Sequence, residues 1–351
     1  MKKIRVGVAG YGKAAKFFHI PFLRTIEGYE LSAILQRSTD EAKNAFPNVI
    51  IARSIDELIG FKDLDLVVIT TPNDTHFEFA SKAMLAGKHV VVDKPFTNTL
   101  DEADELIRIS EETGKVLSVY QNRRYASDFL TIKSLLAEKL LGDVHEFNAT
   151  YDRYRPEPIP GAWREADMPG SGVLYDLGPH LLDQAMTLFG KPGAITADIR
   201  RQRPHSKVDD FFNIWLDYGF LKVILHTGML VREQGPRYMI QGTAGSFLKS
   251  GEDPQEARLR AGDLPLGDDW GKEPNDADGI LHTEIDGKVI RKNVPTAKGD
   301  YGLYYKNLYE TLVNEAPLLE KPQHGYNTIR LIELAFESSR LKKTLRISGL
   351  M

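Results

Sequence analysis

The residues best suited to chemistry lie in two places. Lys94 follows the apolar run His89-Val90-Val91-Val92 and stands between Asp93 and Pro95. The abrupt step from a buried strand to a proline-fixed turn would hold its amine over the end of a sheet. A cation there can hydrogen-bond a hydroxyl and stabilise an alkoxide as it develops. Asp176, His180 and Asp183 are spaced by four and three, so on a helix all three share one face. Histidine is the usual general acid–base group near neutral pH. Blander readings exist for both places: a solvated lysine, a capping Asp beside a solvated His, or an Asp/His metal face for which no third ligand follows at a convincing spacing. Asp176 reads as the N-cap of the apolar helical run ending at Gly190, with Pro179 in its first turn.

The elements that must position these residues fall into two sets. Up to about Tyr120, short apolar runs alternate with helical patterns: Ile4–Ala9, Leu31–Leu35, Val49–Ala52, Leu64–Thr70, His89–Val92 and Val116–Tyr120, with helices such as Thr75–Ala86 and Leu100–Thr113 between them. That alternation predicts an α/β domain, a doubly wound parallel sheet covered on both faces, over residues 1–121. From Asn122 the rhythm changes. A helix over Asp128–Lys139 leads into strands Val144–Tyr151, Ile195–Arg201, Phe211–Tyr218, Lys222–Met229 and Tyr238–Gly242. A two-residue hairpin turn follows at Asp286-Gly287, and helices over Tyr301–Asn314 and Asn327–Arg340 close the chain. Residues 122–351 therefore read as an α+β domain on a mainly antiparallel sheet. The polar stretch Gly251–Asp278 reads as a surface loop.

The first strand runs into Gly10-x-Gly12-x-x-Ala15, the dinucleotide fingerprint with Ala in its last place. Gly10 permits the tight turn, Gly12 lets the backbone approach a pyrophosphate, and a small residue at 15 allows close helix–strand packing. Gly7-x-x-x-x-Gly12-Lys13 also fits most of a P-loop, but Ala14 stands where Ser or Thr should hold magnesium. At the end of the second strand an NAD enzyme needs an acid for the ribose 2′-hydroxyl. This chain has Gln36-Arg37-Ser38, and a guanidinium pairs with a 2′-phosphate that a carboxylate would repel. The expected cofactor is NADP, with NAD as the alternative. Its contacts come from Gly10, Gly12, Lys13, Ala15, Arg37 and Ser38, from Thr71, Pro72, Asn73 and His76 beyond the fourth strand, and from Lys94 beside the expected nicotinamide. Asn73 or Asp74 could equally cap the helix that follows.

Composition bounds the rest. The chain has 351 residues, enough for two domains, and 45 basic against 49 acidic residues. A net charge of −4 leaves no basic surplus for a nucleic acid backbone. The absence of cysteine excludes disulfides and thiolate chemistry and fits a reducing compartment, the cytoplasm. No apolar stretch approaches the roughly 18 residues needed to span a bilayer, so neither a signal peptide nor a membrane span is expected.

Taken together, Gly10-x-Gly12-x-x-Ala15, Thr71-Pro72-Asn73-x-x-His76, Asp93-Lys94-Pro95 and Asp176-x-x-x-His180 resemble the glucose–fructose oxidoreductase / inositol dehydrogenase / MocA family over essentially the whole chain. Asn122-Arg123-Arg124, Trp163-Arg164 and Tyr175–His180 look closest to its branch of NADP-dependent scyllo-inositol dehydrogenases. The resemblance implies a Rossmann domain, then an α/β domain whose open sheet forms homodimers or homotetramers. It also implies reversible hydride transfer between a nicotinamide and a hydroxyl carbon of a sugar or cyclitol. It makes Lys94 the active-site lysine of the Glu-Lys-Pro motif, with Asp93 in place of Glu. It makes Asp176 the substrate-binding acid and His180 the catalytic histidine, and it sets Asp183 near the nicotinamide ribose. A cis Lys94–Pro95 bond is a further implication. The polyol or keto-sugar would dock on Asn122, Lys94 and Asp176, with Asp152, Arg153, Trp163 and Tyr175 beside them. A redox-inactive nucleotide sensor, or redox-assisted glycoside cleavage, would share this frame.

Overall fold

The computed structural model describes residues 2–274 and 277–351, grouped in two compact units that are taken in turn. The first unit gathers residues 1–122, 255–270 and 300–326. Its six strands are β1 (Ile4–Ala9), β2 (Tyr29–Leu35), β3 (Ile50–Ala52), β4 (Leu66–Ile69), β5 (His89–Val92) and β6 (Leu117–Val119). All pairs are parallel, in the order β3-β2-β1-β4-β5-β6. Each strand lies within two residues of its expected ends. The central strands are apolar along their whole length because helices cover both faces: every residue of β4 is buried. The helix Leu100–Thr113 shows how local sequence sets the ends. Thr99 and Glu102 form a reciprocal capping box at its start, and Gly114 at φ +64° ends it. Strand order reverses between β1 and β4, and ligands of such sheets bind outside the carboxyl ends at that point.

The second unit holds residues 123–254, 271–299 and 327–351. Its sheet has nine strands: β7 (Val144–Thr150), β8 (Ala194–Arg200), β9 (Phe211–Tyr218), β10 (Leu221–Gly228), β11 (Tyr238–Gly242), β12 (Gly245–Lys249), β13 (Gly279–Ile285), β14 (Lys288–Val294) and β15 (Leu345–Arg346). The order is β14-β13-β12-β11-β7-β10-β9-β8-β15, antiparallel everywhere except between β7 and β10. Alternate residues such as Phe147, Ile214, Leu216, Val223, Tyr238 and Phe247 are fully buried on one face. The opposite face keeps Trp215 at 45% exposure. Asp286 and Gly287 take φ +50° and +73°, the backbone a two-residue turn between β13 and β14 requires.

Two expectations are corrected. The stretch Gly251–Asp278, of which residues 275 and 276 lie outside the described residues, is not simply a surface loop. It contains the helix Gln255–Ala261, with Leu259 and Trp270 buried. The Trp270 indole donates to Gln255 Oε1 (3.0 Å), which also accepts from the Tyr301 backbone N–H (2.8 Å). Polar composition hid it because two apolar anchors so far apart make no periodic signal. Nor is Asp176 an N-cap. The helix runs Val173–Phe189 behind Gly172, so Pro179 lies inside it. Its first N–H groups are capped from a distant loop: Val173 donates to Asp209 O (2.9 Å) and Leu174 to Asp209 Oδ2 (2.7 Å). Gly172, at φ +92°, lets Asp209 come so close that a Cβ would meet its Oδ1 at 2.0 Å.

Candidate active site

In the first unit, the chain leaves β1 through Gly10 at φ +102°. A Cβ on Gly10 would press on Thr70 Oγ1 and Thr71 Cγ2, at 3.1 and 3.2 Å. A Cβ on Gly12 would meet nothing within 4 Å among the described residues, so the backbone there is open. Ala15 is fully buried at the start of the helix that follows, which is π-wound over Ala15–His19 and α-helical over Ile20–Thr25. An open glycine edge, a tight turn and a small packing residue are what a pyrophosphate site needs, and these residues fit a dinucleotide. Lys13, Arg37 and Ser38 are exposed.

Beyond β4, Pro72 and Thr75 precede the short Asn73–Thr75 turn and the helix His76–Leu85, so neither Asn73 nor Asp74 is its N-cap. His76 is corrected from cofactor contact to positioning residue. It is buried, with Nδ1 2.9 Å from Pro95 O and Nε2 3.0 Å from Thr71 O, tying the loops after β4 and β5 together. Burial pushes its pKa down, against the pull of Asp93 and the carbonyls.

Lys94 is half-buried, and the Lys94–Pro95 peptide is cis. Its backbone N–H donates to Asp93 Oδ1 (2.8 Å), so this acid shapes the turn. Burial would raise the Asp93 carboxyl, but His19, Lys94 and His76 together hold it below its ordinary range. His19 Nε2 stands 3.8 Å from Asp93 Oδ1, and Nδ1 lies 2.6 Å from the buried Tyr305 hydroxyl. Val92 pairs with Val119, so Gln121 stands two residues beyond β6 as Lys94 stands two beyond β5. Gln121 Oε1 is buried with no hydrogen-bond partner among the described residues, and Asn122 beside it is also buried. Sequence reasoning missed Gln121; its signal was its place two residues beyond an apolar strand, the offset Lys94 has from its own.

In the second unit, the helix Val173–Phe189 brings Asp176, His180 and Asp183 onto one face, as their spacing predicts. Asp176 Oδ1 accepts from Arg164 Nε (3.1 Å), and that guanidinium lies over the Trp163 ring, 4.3 Å from its centroid. The neighbouring Glu165 grips buried Arg203, which also binds Asp210, next to the Asp209 that caps the helix. His180 is 7% exposed, and its ring stands edge-to-face with that of Tyr151, the centroids 6.3 Å apart. Both oxygens of Asp183 accept from Arg124 at 2.7 Å. Tyr175 lies off this face with its ring stacked on Phe336. Asp152 Oδ1 is engaged by the Gly228 N–H (2.9 Å) and lies 3.3 Å from His226 Nε2, while Arg153 is half-buried beside it.

Behind His180, the buried Arg237 guanidinium stacks on Tyr151, 3.3 Å from its centroid, with Nε 3.9 Å from Asp128 Oδ2. Burial pushes the Asp128 carboxyl up to about 6, with Arg237 opposing and Asp253 adding to the rise. Folded Asp128 keeps its proton where the unfolded chain has lost it, so its contribution to stability is full below about pH 4 and is lost as pH rises towards about 6. Asp128→Asn should therefore gain on the wild type by about 2 kcal/mol between pH 4 and pH 7 in urea unfolding. A difference that does not change with pH would contradict this.

Residues 4–121 match a family model described as an oxidoreductase family with an NAD-binding Rossmann fold. Residues 133–347 match the C-terminal alpha/beta domain of the same family. The chain is 41% identical over 344 residues to the scyllo-inositol 2-dehydrogenase (NADP+) of Bacillus subtilis, covering 98% of this chain and 96% of that one. It is 43% identical to an uncharacterized oxidoreductase of Escherichia coli, covering 97% and 98%. A solved Bacillus subtilis oxidoreductase superposes with a TM-score of 0.96 at 40% identity, covering 99% of both chains. Two matched domains in the family's order, on the motifs and topology described above, lead to one conclusion: the chain belongs to the glucose–fructose oxidoreductase / inositol dehydrogenase / MocA family of oxidoreductases.

Proposed function

We propose that this NAD(P)-dependent oxidoreductase uses NADP and acts on a secondary alcohol, or its ketone, in a cyclitol or sugar. One observation carries the reading. A half-buried lysine is fixed at the carboxyl edge of a dinucleotide-binding sheet, in a chain that also presents a histidine and a carboxylate on one helix face. A nucleotide sensor has little use for that combination. The identity to an NADP-dependent scyllo-inositol dehydrogenase supports the substrate class.

Bound NADP supplies the hydride acceptor for oxidation, and NADPH the donor for the reverse. Gly10, Gly12 and Ala15 shape the pyrophosphate turn, while Arg37 and Ser38 read the 2′-phosphate. Asp176 accepts a hydrogen bond from a substrate hydroxyl, with Asn122, Arg153 and Trp163 as further contacts. His180 takes the proton of the reacting hydroxyl, and Lys94 donates to its oxygen as negative charge grows there. Many polar contacts suit a hydroxyl-rich ligand, since a buried polar group left unpaired rejects analogues that lack the hydroxyl.

Self-association through the uncovered face of the nine-stranded sheet goes with this reading; Trp215 there and Phe220 in the β9–β10 turn, 66% exposed, are apolar surface a second copy would cover. We also propose a cytoplasmic location. Among the described residues no helix is long and apolar enough to cross a membrane.

The reading is tested with inositol isomers, hexoses and their keto forms, each assayed with both cofactors. NADP-linked turnover of a polyol is expected. Arg37→Ala should raise KM for NADP by about tenfold and leave NAD within about twofold, the scale of one lost charge-assisted contact. Equal losses for the two cofactors would contradict the role of Arg37.

A further inference from the structure

We propose that Arg53 is a second determinant of the choice between 2′-phosphorylated and plain adenosine, a positioning residue that holds and neutralises the loop after β2. The proposal rests on the NADP reading above.

Arg53 directly follows β3, the edge strand paired with β2 through Leu35 and Ala52. Its guanidinium reaches back over the loop that carries Arg37 and Ser38. Nη1 donates to Gln36 O and Thr39 O, both at 2.8 Å, and Nη2 donates to Asp40 Oδ1 at 2.5 Å. The loop is held at its other points too: Gln36 N–H donates to Ala52 O (2.9 Å), and Gln36 Oε1 accepts from Ala42 N–H (2.9 Å). One planar fork therefore fixes the two carbonyls that bracket Arg37 and Ser38, whose own side chains stay exposed. A lysine, a point charge without that fork, does not reproduce this.

Charge acts alongside this geometry. The segment Gln36–Glu41 holds one cation, Arg37, and two carboxylates, Asp40 and Glu41, the wrong balance for a 2′-phosphate. Asp40 precedes the helix Glu41–Ala45, where an Asp ordinarily turns its carboxylate onto the first N–H groups, yet it makes no such bond. Arg53 has taken it. Glu41 is taken likewise by Lys16, at 2.5 Å. With both acids paired the local balance turns positive, and Arg37 meets a phosphate without competition. These pairs are partly exposed, so each is worth a moderate factor in affinity.

The test titrates adenosine 2′,5′-bisphosphate and AMP into the full-length protein by calorimetry. The wild type should prefer the bisphosphate by at least about tenfold. Arg53→Ala should weaken the bisphosphate by about fivefold and AMP by less than about twofold, and adding Asp40→Asn to that variant should recover the part of the loss that the unpaired carboxylate causes. AMP binding also reports that the variants are folded. Equal losses for both ligands, no loss for the bisphosphate, or no recovery in the double variant would overturn the role of Arg53. A wild type that binds the two ligands alike would instead remove the NADP reading itself.

Discussion

Lys94→Met should lower kcat by about 10²–10³-fold, the usual loss when one charged donor to a developing oxyanion is removed. Methionine keeps an unbranched stem of nearly the same length and loses the ammonium. His180→Asn should lower kcat by about 10²–10⁴-fold, the range for a general acid–base group. In both variants NADPH binding, read by its fluorescence, should stay within about threefold of the wild type, because the pyrophosphate turn at Gly10–Ala15 is untouched. Loss of turnover with binding preserved separates chemistry from folding. Near-normal turnover in either variant would remove the role assigned to that residue.

The second large effect is on stability. Lys249 is fully buried, and its ammonium donates to Glu273 Oε2 (2.6 Å), Ser250 O (2.7 Å) and Ala277 O (2.8 Å). Glu273 is as deeply buried and accepts from Ser127 Oγ at 2.5 Å. Lys249→Ala leaves a carboxylate buried without its counter-ion, which costs about 3–5 kcal/mol. Lys249→Met combined with Glu273→Gln removes both charges and should recover most of that loss, because the cost lies in the unpaired charge rather than in the missing attraction. Urea unfolding of the full-length chain measures both. A loss below about 1 kcal/mol for Lys249→Ala, or a double variant no better than the single, would contradict this account.

Much of the first unit was legible because its signals are local. β1 and β5 were delimited by their apolar runs, and the glycines of the β1 turn sit where a pyrophosphate requires them. The fingerprint, the lysine after β5 and the Asp/His face could be placed because each depends only on a strand end or a helical period. What was not legible depends on residues far apart in the chain. The helix of His180 takes its cap from Asp209, a residue 35 or 36 positions from the N–H groups it serves. No pattern around Asp176 announces that. His76 has the spacing of a cofactor contact, but carbonyls of Thr71 and Pro95 occupy its ring nitrogens. Tyr175 sits beside Asp176 in sequence, and the helical twist turns its ring onto Phe336. The helix Gln255–Ala261 was hidden because the partner that orders Gln255 is the Trp270 indole across a polar loop.

The most direct test of the central claim is to follow the hydrogen itself. Inositols and hexoses deuterated at their carbinol carbons are incubated with NADP and the wild-type protein, and the reduced cofactor is analysed by mass spectrometry. The account predicts at least one polyol that yields a ketone together with cofactor carrying a single deuterium. If no member of the panel deuterates the cofactor, or label leaves the carbon only to water, the chain does not carry out hydride transfer on a polyol.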